Sequence, residues 1–307
     1  MRRRTEPALV LAILLGGASC STDALVPLRL IGPYAANGAT QVTTRFEQPY
    51  ADRGGQALFY DLYSPDDAAT PLPLVIAVHG GYWRSGSRKD IAEFAYDIAA
   101  HGYVVASIDY RLARDGVVFP APVSDVFAAI RYFRENAAQF NLDPARIALF
   151  GRSAGAHLAL LVAMAPDAHV FDPERPVGET AGVKAVISVS GPTDLTVDSS
   201  TATDLQRDSV ENFLGQTLEN AGNLLRVASP VIYARAGGPP VLMIHGDIDA
   251  IVPVDQAYRL NGALRAAGQY ADLHVYPGMD HLINAVWFTG FAQQYREDIL
   301  DFLNSRL

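Results

Sequence analysis

The chain has 307 residues, of which 50% are hydrophobic and 19% are charged, so it can bury a full core in one large domain. Its formal net charge of −9 argues against a nucleic-acid partner, because phosphate binding needs a basic face. A single large globular domain is therefore the first expectation.

The first twenty residues have the pattern of a secretory signal. Residues 1–4 are basic, residues 8–18 are apolar but too few to span a bilayer, and small residues lead to Cys20. Cys20 is the only cysteine, and its position directly after Gly17-Ala18-Ser19 resembles the lipobox of bacterial lipoproteins. That resemblance implies export and lipidation of Cys20, with membrane contact only through the lipid anchor. Gly17 stands where the lipobox prefers an aliphatic residue, so soluble periplasmic export is the alternative.

A linker is predicted over residues 21–40, followed by one folded domain over residues 41–307. Alternating apolar and polar residues at 41–48 and 57–63 predict an antiparallel hairpin at a sheet edge. Buried strands and helices alternate after it. Strands are predicted at 72–78, 103–108, 147–150, 184–190, 241–245 and 272–276, and helices at 91–100, 125–140, after 155, at 254–267 and at 283–303. This alternation predicts right-handed crossovers and a mostly parallel sheet.

The polar segment from about 194 to 229 interrupts the alternation and is long for a connection. It contains apparent short helices at 209–214 and 219–227. We interpret it as a small lid over the functional site, with a surface insertion without such a role as the alternative.

The sequence Gly151-Arg-Ser153-Ala-Gly155 joins a predicted buried strand to a predicted buried helix. Glycines without a Cβ permit the sharp turn that would lift the Ser153 hydroxyl clear of the sheet. The N–H of Ala154, at the start of the helix, would point to where negative charge develops during attack on a carbonyl. Ser153 is therefore the predicted nucleophile.

A serine nucleophile needs a base, and the base needs an acid to orient it. Of the seven histidines, His281 lies in a loop after the last predicted strand, whereas the others have structural interpretations. The acid is expected between serine and histidine in the chain. Asp247 and Asp249, which follow the penultimate strand, are both candidates.

The sequence His79-Gly-Gly81-Tyr82-Trp83 follows the strand predicted at 72–78. Consecutive glycines allow backbone N–H groups to approach a bound oxygen closely. Tyr82 and Trp83 are interpreted either as walls of an acyl pocket or as core aromatics. The charges of Asp109 and Arg111, at the end of another strand, are expected to form a structural ion-pair anchor.

Together with Asp109-Tyr-Arg111 and Phe119-Pro-Ala-Pro122, these motifs resemble an α/β-hydrolase of the carboxylesterase group over about residues 45–305. The resemblance is to the BD-FAE-like esterase/lipase branch related to hormone-sensitive lipase and kynurenine formamidase. It implies the α/β-hydrolase fold, with a mostly parallel central sheet flanked by helices, and no metal or cofactor.

The same resemblance implies roles for individual residues. Asp249 occupies the catalytic second acidic position of a His-Gly-x-x-Asp-x-x-Val-Pro stretch, and Gly81 and Tyr82 would join Ala154 in an oxyanion hole. Trp83, Tyr82 and Trp287 would line an aromatic substrate pocket, as would Phe288 next to Trp287.

The expected function is a serine carboxylesterase that hydrolyses short-chain or aryl esters through an acyl-enzyme. An arylformamidase acting on N-formyl amides is the alternative, although export counts against it. A non-catalytic surface protein on a hydrolase fold is a third possibility, disfavoured because every catalytic position is filled.

Overall fold

The computed structural model describes residues 41–66, 68–172, 176–197, 203–281 and 290–307. The predicted signal, Cys20 and the linker lie outside the described residues, as do Trp287 and Phe288.

Eight strands form one sheet in the order β1-β2-β4-β3-β5-β6-β7-β8. Strands β1 and β2 form the predicted hairpin, β2 also pairs antiparallel with β4, and the remaining neighbours are parallel. The strands are β1 Val42–Asp52, β2 Ala57–Pro65, β3 Leu72–Val78, β4 Val104–Ile108, β5 Leu142–Arg152, β6 Ala185–Val189, β7 Val241–Gly246 and β8 Ala271–Tyr276. The prediction of a mostly parallel sheet is confirmed.

Helices cover both faces of the sheet, which explains why its central strands are apolar throughout. The helices are α1 Ala92–Ala100, α2 Ala121–Glu135, α3 Ala154–Met164, α4 Asp204–Leu214, α5 Leu218–Ala221, α6 Asn223–Val227, α7 Asp255–Ala266 and α8 Gly290–Arg306. One core contains α2, α3 and α7 with Leu74 and Ile76 of β3, and the other contains α1 and α8 with Val75 and Ala77. Alternate residues of one strand thus enter different cores.

Several predicted elements differ from the structure in their bounds. Helix α2 begins at Ala121 rather than 125, because Pro122 lies in the first turn, where a missing N–H costs no hydrogen bond. It ends at Glu135, and a separate 3₁₀ turn, Ala137–Phe140, follows it. The strand before Ser153 is longer than predicted and begins at Leu142.

Residues 194–229, which we call the cap segment, are described at 194–197 and 203–229 and contain α4, α5 and α6. The helix predicted at 209–214 begins earlier, at Asp204, because the side chain of Thr203 accepts a hydrogen bond from the N–H of Gln206 and caps it there. The helix predicted at 219–227 is divided into α5 and α6 by Gly222, whose backbone is not helical. The cap segment is bonded to the rest of the domain. The N–H of Phe119 donates to the carbonyl of Phe213 at 2.7 Å, and the Gln206 amide donates to the carbonyl of Ile251 at 2.7 Å.

None of the helices in the described ranges is both long enough and apolar enough to cross a membrane.

Candidate active site

Ser153 lies at a strained turn between β5 and α3. Its backbone has φ 53° and ψ −122°, a sparsely populated conformation that costs a residue with a Cβ about 1–3 kcal/mol. The Ser153 N–H donates to the carbonyl of Val189 on β6 at 2.8 Å, so the turn is tied to the neighbouring strand. The structure therefore places the predicted nucleophile at a strand-to-helix elbow.

The two glycines of this motif are required for space. A Cβ on Gly151 would lie 2.3 Å from the carbonyl oxygen of Gly155, and a Cβ on Gly155 would lie 2.1 Å from that of Val78. Both distances are far below van der Waals contact. Only glycine allows the elbow to pack this tightly against itself and against β3.

His281 connects Ser153 to Asp249. The Ser153 hydroxyl lies 2.9 Å from Nε2 of His281, and Nδ1 of His281 lies 2.7 Å from Oδ2 of Asp249. His281 belongs to the loop after β8, and Asp249 to the loop after β7. A Cβ on Gly246 would lie 2.1 Å from the carbonyl oxygen of Met279, so that glycine allows the two loops to meet.

The Asp249 carboxylate is fully buried, and both of its oxygens accept hydrogen bonds. Its Oδ1 accepts hydrogen bonds from the N–H groups of Ile251, at 2.9 Å, and Val252, at 2.8 Å. Burial alone would raise the pKa of Asp249, but hydrogen bonds from His245, His281 and the Val252 N–H outweigh it and lower the pKa well below its ordinary value. Asp249 therefore stays ionised and can accept the Nδ1 proton of His281.

The structure distinguishes the two acid candidates. Asp247 is exposed, and its carboxylate accepts the N–H of Gly278 at 2.6 Å, so it fastens the loop that carries His281. Only Asp249 of the two contacts the His281 ring. A contact between His245 and Asp249 was not predicted, because the position of His245 in a strand indicated a core residue. Its Nε2 lies 3.4 Å from Asp249 and 2.7 Å from the carbonyl of Val252.

The loop after β3 has three consecutive residues with positive φ: Gly81 at 120°, Tyr82 at 55° and Trp83 at 59°. A Cβ on Gly81 would lie 2.1 Å from the carbonyl oxygen of Ser85, so that position requires glycine. A Cβ on Gly80 would lie 3.2 Å from the Cβ of Ser153. The predicted oxyanion loop thus lies directly against the nucleophile.

A cavity of about 280 Å³ opens beside Ser153. Ala154, Tyr82 and Trp83 line it on the side of the domain body. The cap segment adds the apolar side chains of Leu195, Val197, Val210 and Leu218 and the polar or charged ones of Asp194, Thr203, Gln206, Arg207 and Ser209. The lining as a whole is mainly apolar, because Pro192, Ala250, Ile251, Val252 and Pro253 also contribute to it. The cavity therefore favours an apolar group next to the Ser153 hydroxyl.

Trp83 is both a wall of the cavity and an aromatic residue of the core. It lines the cavity, yet only 4% of it is exposed, and its ring stacks on Phe213 with centroids 4.6 Å apart. Tyr82 also lines the cavity, whereas Trp287 lies outside the described residues.

Asp109 and Arg111 have the structural role expected from the sequence. Asp109 pairs with Arg88 at 2.6 Å, and Arg111 pairs with the buried Asp125 at 2.8 Å. Within the described ranges, no group of three or more His, Cys, Asp or Glu side chains is arranged to hold a metal ion.

The eight-stranded sheet, the elbow at Ser153 and the loops of Asp249 and His281 define an α/β-hydrolase with a serine-centred site. The BD-FAE family model matches residues 60–264, and the chain belongs to that family, as the resemblance to the carboxylesterase group implied. The matched range includes Ser153 and Asp249 and ends before His281.

Two curated relatives are esterases of Mycobacterium tuberculosis. Esterase LipC is 35% identical over 240 residues, which cover 76% of this chain and 58% of LipC. Esterase LipQ is 31% identical over 264 residues, which cover 83% of this chain and 61% of LipQ. The chain therefore spans about three fifths of the length of these relatives.

Among solved structures, a truncated carbohydrate esterase from gut microbiota is similar at a TM-score of 0.74 and 26% identity, covering 88% of this chain and 98% of that one. The propionate-bound esterase Est2 of Thermogutta terrifontis, a Planctomycetes species, is similar at a TM-score of 0.70 and 26% identity. The match covers 88% of this chain and 94% of Est2.

Proposed function

We propose that the protein is a serine carboxylesterase in which Ser153, His281 and Asp249 act as a catalytic triad. One observation carries the proposal: a continuous hydrogen-bonded line runs from the Ser153 hydroxyl through both ring nitrogens of His281 to Asp249. This is the arrangement that activates a serine hydroxyl at neutral pH. The esterase relatives support the same reaction class.

In the first half of the reaction, Ser153 Oγ attacks the ester carbonyl carbon while its proton passes to Nε2 of His281. The buried Asp249 carboxylate stabilises the imidazolium that forms, since it accepts the Nδ1 proton in a hydrogen bond. The carbonyl oxygen becomes an oxyanion, for which the N–H groups of Ala154, Tyr82 and Gly81 are the proposed donors. The tetrahedral intermediate then breaks its bond to the alkoxy oxygen, which leaves as the alcohol with the proton from His281.

In the second half, water attacks the acyl-enzyme carbonyl and His281 takes the water proton. Collapse of this second tetrahedral intermediate breaks the bond to Ser153 Oγ, which recovers its proton from His281. The products are one carboxylic acid and one alcohol, and the enzyme is restored.

The proposed substrates are esters of short-chain or aryl carboxylic acids. The cavity beside Ser153 is small and mainly apolar, and Trp83 and Tyr82 supply aromatic surface. Est2, whose structure was solved with propionate bound, supports the short-chain preference.

The test measures hydrolysis of p-nitrophenyl esters of increasing acyl length by the purified wild-type protein and by Ser153→Ala. The variant should lose at least about 10⁴-fold in kcat, because the nucleophile is absent, while its melting temperature stays close to that of the wild type. Equal hydrolysis by the two proteins would overturn the proposal. An N-formyl anilide hydrolysed faster than the matched ester would instead identify an arylformamidase.

Export and lipidation of Cys20 are also proposed, on the basic and apolar pattern of residues 1–20. Mass spectrometry of the mature N-terminus tests this. An acylated Cys20 supports an anchored lipoprotein, cleavage at another residue supports soluble export, and an intact Met1 overturns both.

A further inference from the structure

A buried histidine lies one helical turn after the proposed nucleophile and does not line the cavity. His157, in α3, is completely buried. Its Nδ1 accepts a hydrogen bond from the indole N–H of Trp83 at 3.2 Å, and its Nε2 lies 2.7 Å from the carbonyl oxygen of Ala228. His157 therefore bridges the loop after β3 and the end of the cap segment.

The two partners determine the protonation state of His157. An indole N–H can only donate and a carbonyl oxygen can only accept, so the ring must be neutral, with its proton on Nε2. Burial lowers the pKa of His157 to about 4, although the bond to Ala228 opposes this shift. The bridge is therefore intact at neutral pH.

The same aromatic cluster contacts the cap segment a second time. Phe213 of α4 stacks on Trp83 at 4.6 Å with an interplanar angle of 20°, and its edge-on contact with His157 has centroids 5.3 Å apart. His157 and Phe213 thus enclose the Trp83 indole, one by a hydrogen bond and the other by stacking. Phe213 links Trp83 to the cap segment directly, and His157 does so through its contact with Ala228.

Trp83 is the third of the three residues with positive φ in this loop. Residues with a Cβ persist in that conformation only where the surroundings hold them. The indole of Trp83 enters the hydrophobic core, and Tyr82, the proposed oxyanion donor, directly precedes it. The position of the Tyr82 N–H therefore depends on how the Trp83 side chain is fixed.

We propose that His157 is a positioning residue that holds the oxyanion loop in place through Trp83 and couples this loop to the cap segment through Ala228. His157 touches neither substrate nor Ser153 Oγ, so its effect is on the geometry of oxyanion stabilisation. This inference rests on the proposed esterase function.

The test compares four single variants of the full-length protein with the wild type. His157→Leu removes both hydrogen bonds at similar volume, and Trp83→Phe removes the indole donor. His157→Gln retains an acceptor for Trp83 and a donor for Ala228. Leu160→Ala, at a fully buried position of the same helix, is the control for a general loss of stability.

His157→Leu should lower kcat about 10- to 100-fold, since small displacements of positioned donors have effects of this size, while KM stays near the wild-type value. Affinity for a boronic-acid transition-state analogue should fall in parallel with kcat/KM. Trp83→Phe should also lower kcat, and combining it with His157→Leu should cost less than the product of the two single effects. His157→Gln should recover most of the kcat, and Leu160→Ala should lower the melting temperature but not kcat per active site.

The inference is overturned if His157→Leu or Trp83→Phe retains the wild-type kcat, or if the two effects multiply independently. It is also overturned if His157→Gln is as impaired as His157→Leu. If His157→Leu does not fold, Trp83→Phe and His157→Gln still decide the question. A wild-type protein without esterase activity, or an active Ser153→Ala variant, would instead reject the proposed function.

Discussion

Two His–Asp pairs in this chain have similar distances but different arrangements. Nδ1 of His281 lies 2.7 Å from Asp249, and Nδ1 of His274 lies 2.6 Å from Asp298. Each pair also includes a hydroxyl group, from Ser153 in the first case and from Tyr276 in the second. The two pairs differ in the hydrogen-bond partner of the hydroxyl, which is the histidine in the first pair and the aspartate in the second.

In the first pair the histidine stands between the acid and the hydroxyl, so Nε2 is available to take a proton from Ser153. In the second, the Tyr276 hydroxyl donates to the same Asp298 oxygen that His274 contacts. The Nε2 of His274 instead lies 3.3 Å from a second carboxylate, Asp272. Burial alone would lower the pKa of His274, but Asp298 and Asp272 outweigh it and raise the pKa.

Residue types alone therefore do not define a catalytic triad. A histidine between two carboxylates favours its charged form and stabilises a structural contact, here between β8 and α8. A histidine between one carboxylate and a hydroxyl can move a proton. The order of hydrogen bonds separates the two cases.

The largest expected difference between the two pairs comes from replacing their histidines by alanine. His281→Ala should lower kcat by about 10⁶-fold, because it removes the base that contacts the Ser153 hydroxyl. His274→Ala should leave kcat near the wild-type value and lower the melting temperature. Ester hydrolysis and thermal unfolding of both variants check this, and equal losses of kcat would remove the distinction between the pairs.

Replacing each acid by its amide should have a smaller effect. Asp249→Asn should lower kcat about 10⁴-fold, because the amide no longer stabilises a charged His281 or enforces its tautomer. Asp298→Asn should leave kcat nearly unchanged and reduce stability. Ester hydrolysis is measured at a temperature where both variants are folded. A lower kcat for Asp298→Asn than for Asp249→Asn would contradict the prediction.

The smallest effect concerns pH and stability. Since the folded-state pKa of His274 is raised above its ordinary value of 6.5, its charged contact with Asp298 contributes fully below pH 6.5. That contribution is lost as pH rises through the folded-state pKa. The free energy of unfolding of the wild type should therefore be higher than that of His274→Gln. This difference should be largest at about pH 5.5 and smallest at about pH 9. Urea unfolding at both values measures this, and a pH-independent difference would contradict it.

Much of the fold was predictable from local patterns. Apolar runs between glycines and prolines located the parallel strands, and the spacing of the glycines around Ser153 located the elbow. The end of α2 was less predictable, since the separate 3₁₀ turn at 137–140 continues the apolar pattern of the helix before it.

The sequence by itself determined the residue types of the candidate site and their order along the chain, because strand–turn–helix propensity and loop position are local properties. The motif resemblance favoured Asp249 over Asp247, but only the tertiary structure shows which of the two contacts His281, since both lie in one loop and differ in which neighbouring backbone or side chain they meet. It also determines the partners of His157, since Trp83 and Ala228 are 74 and 71 residues away in the chain. Such contacts arise when distant segments pack against one helix, and no local pattern encodes them.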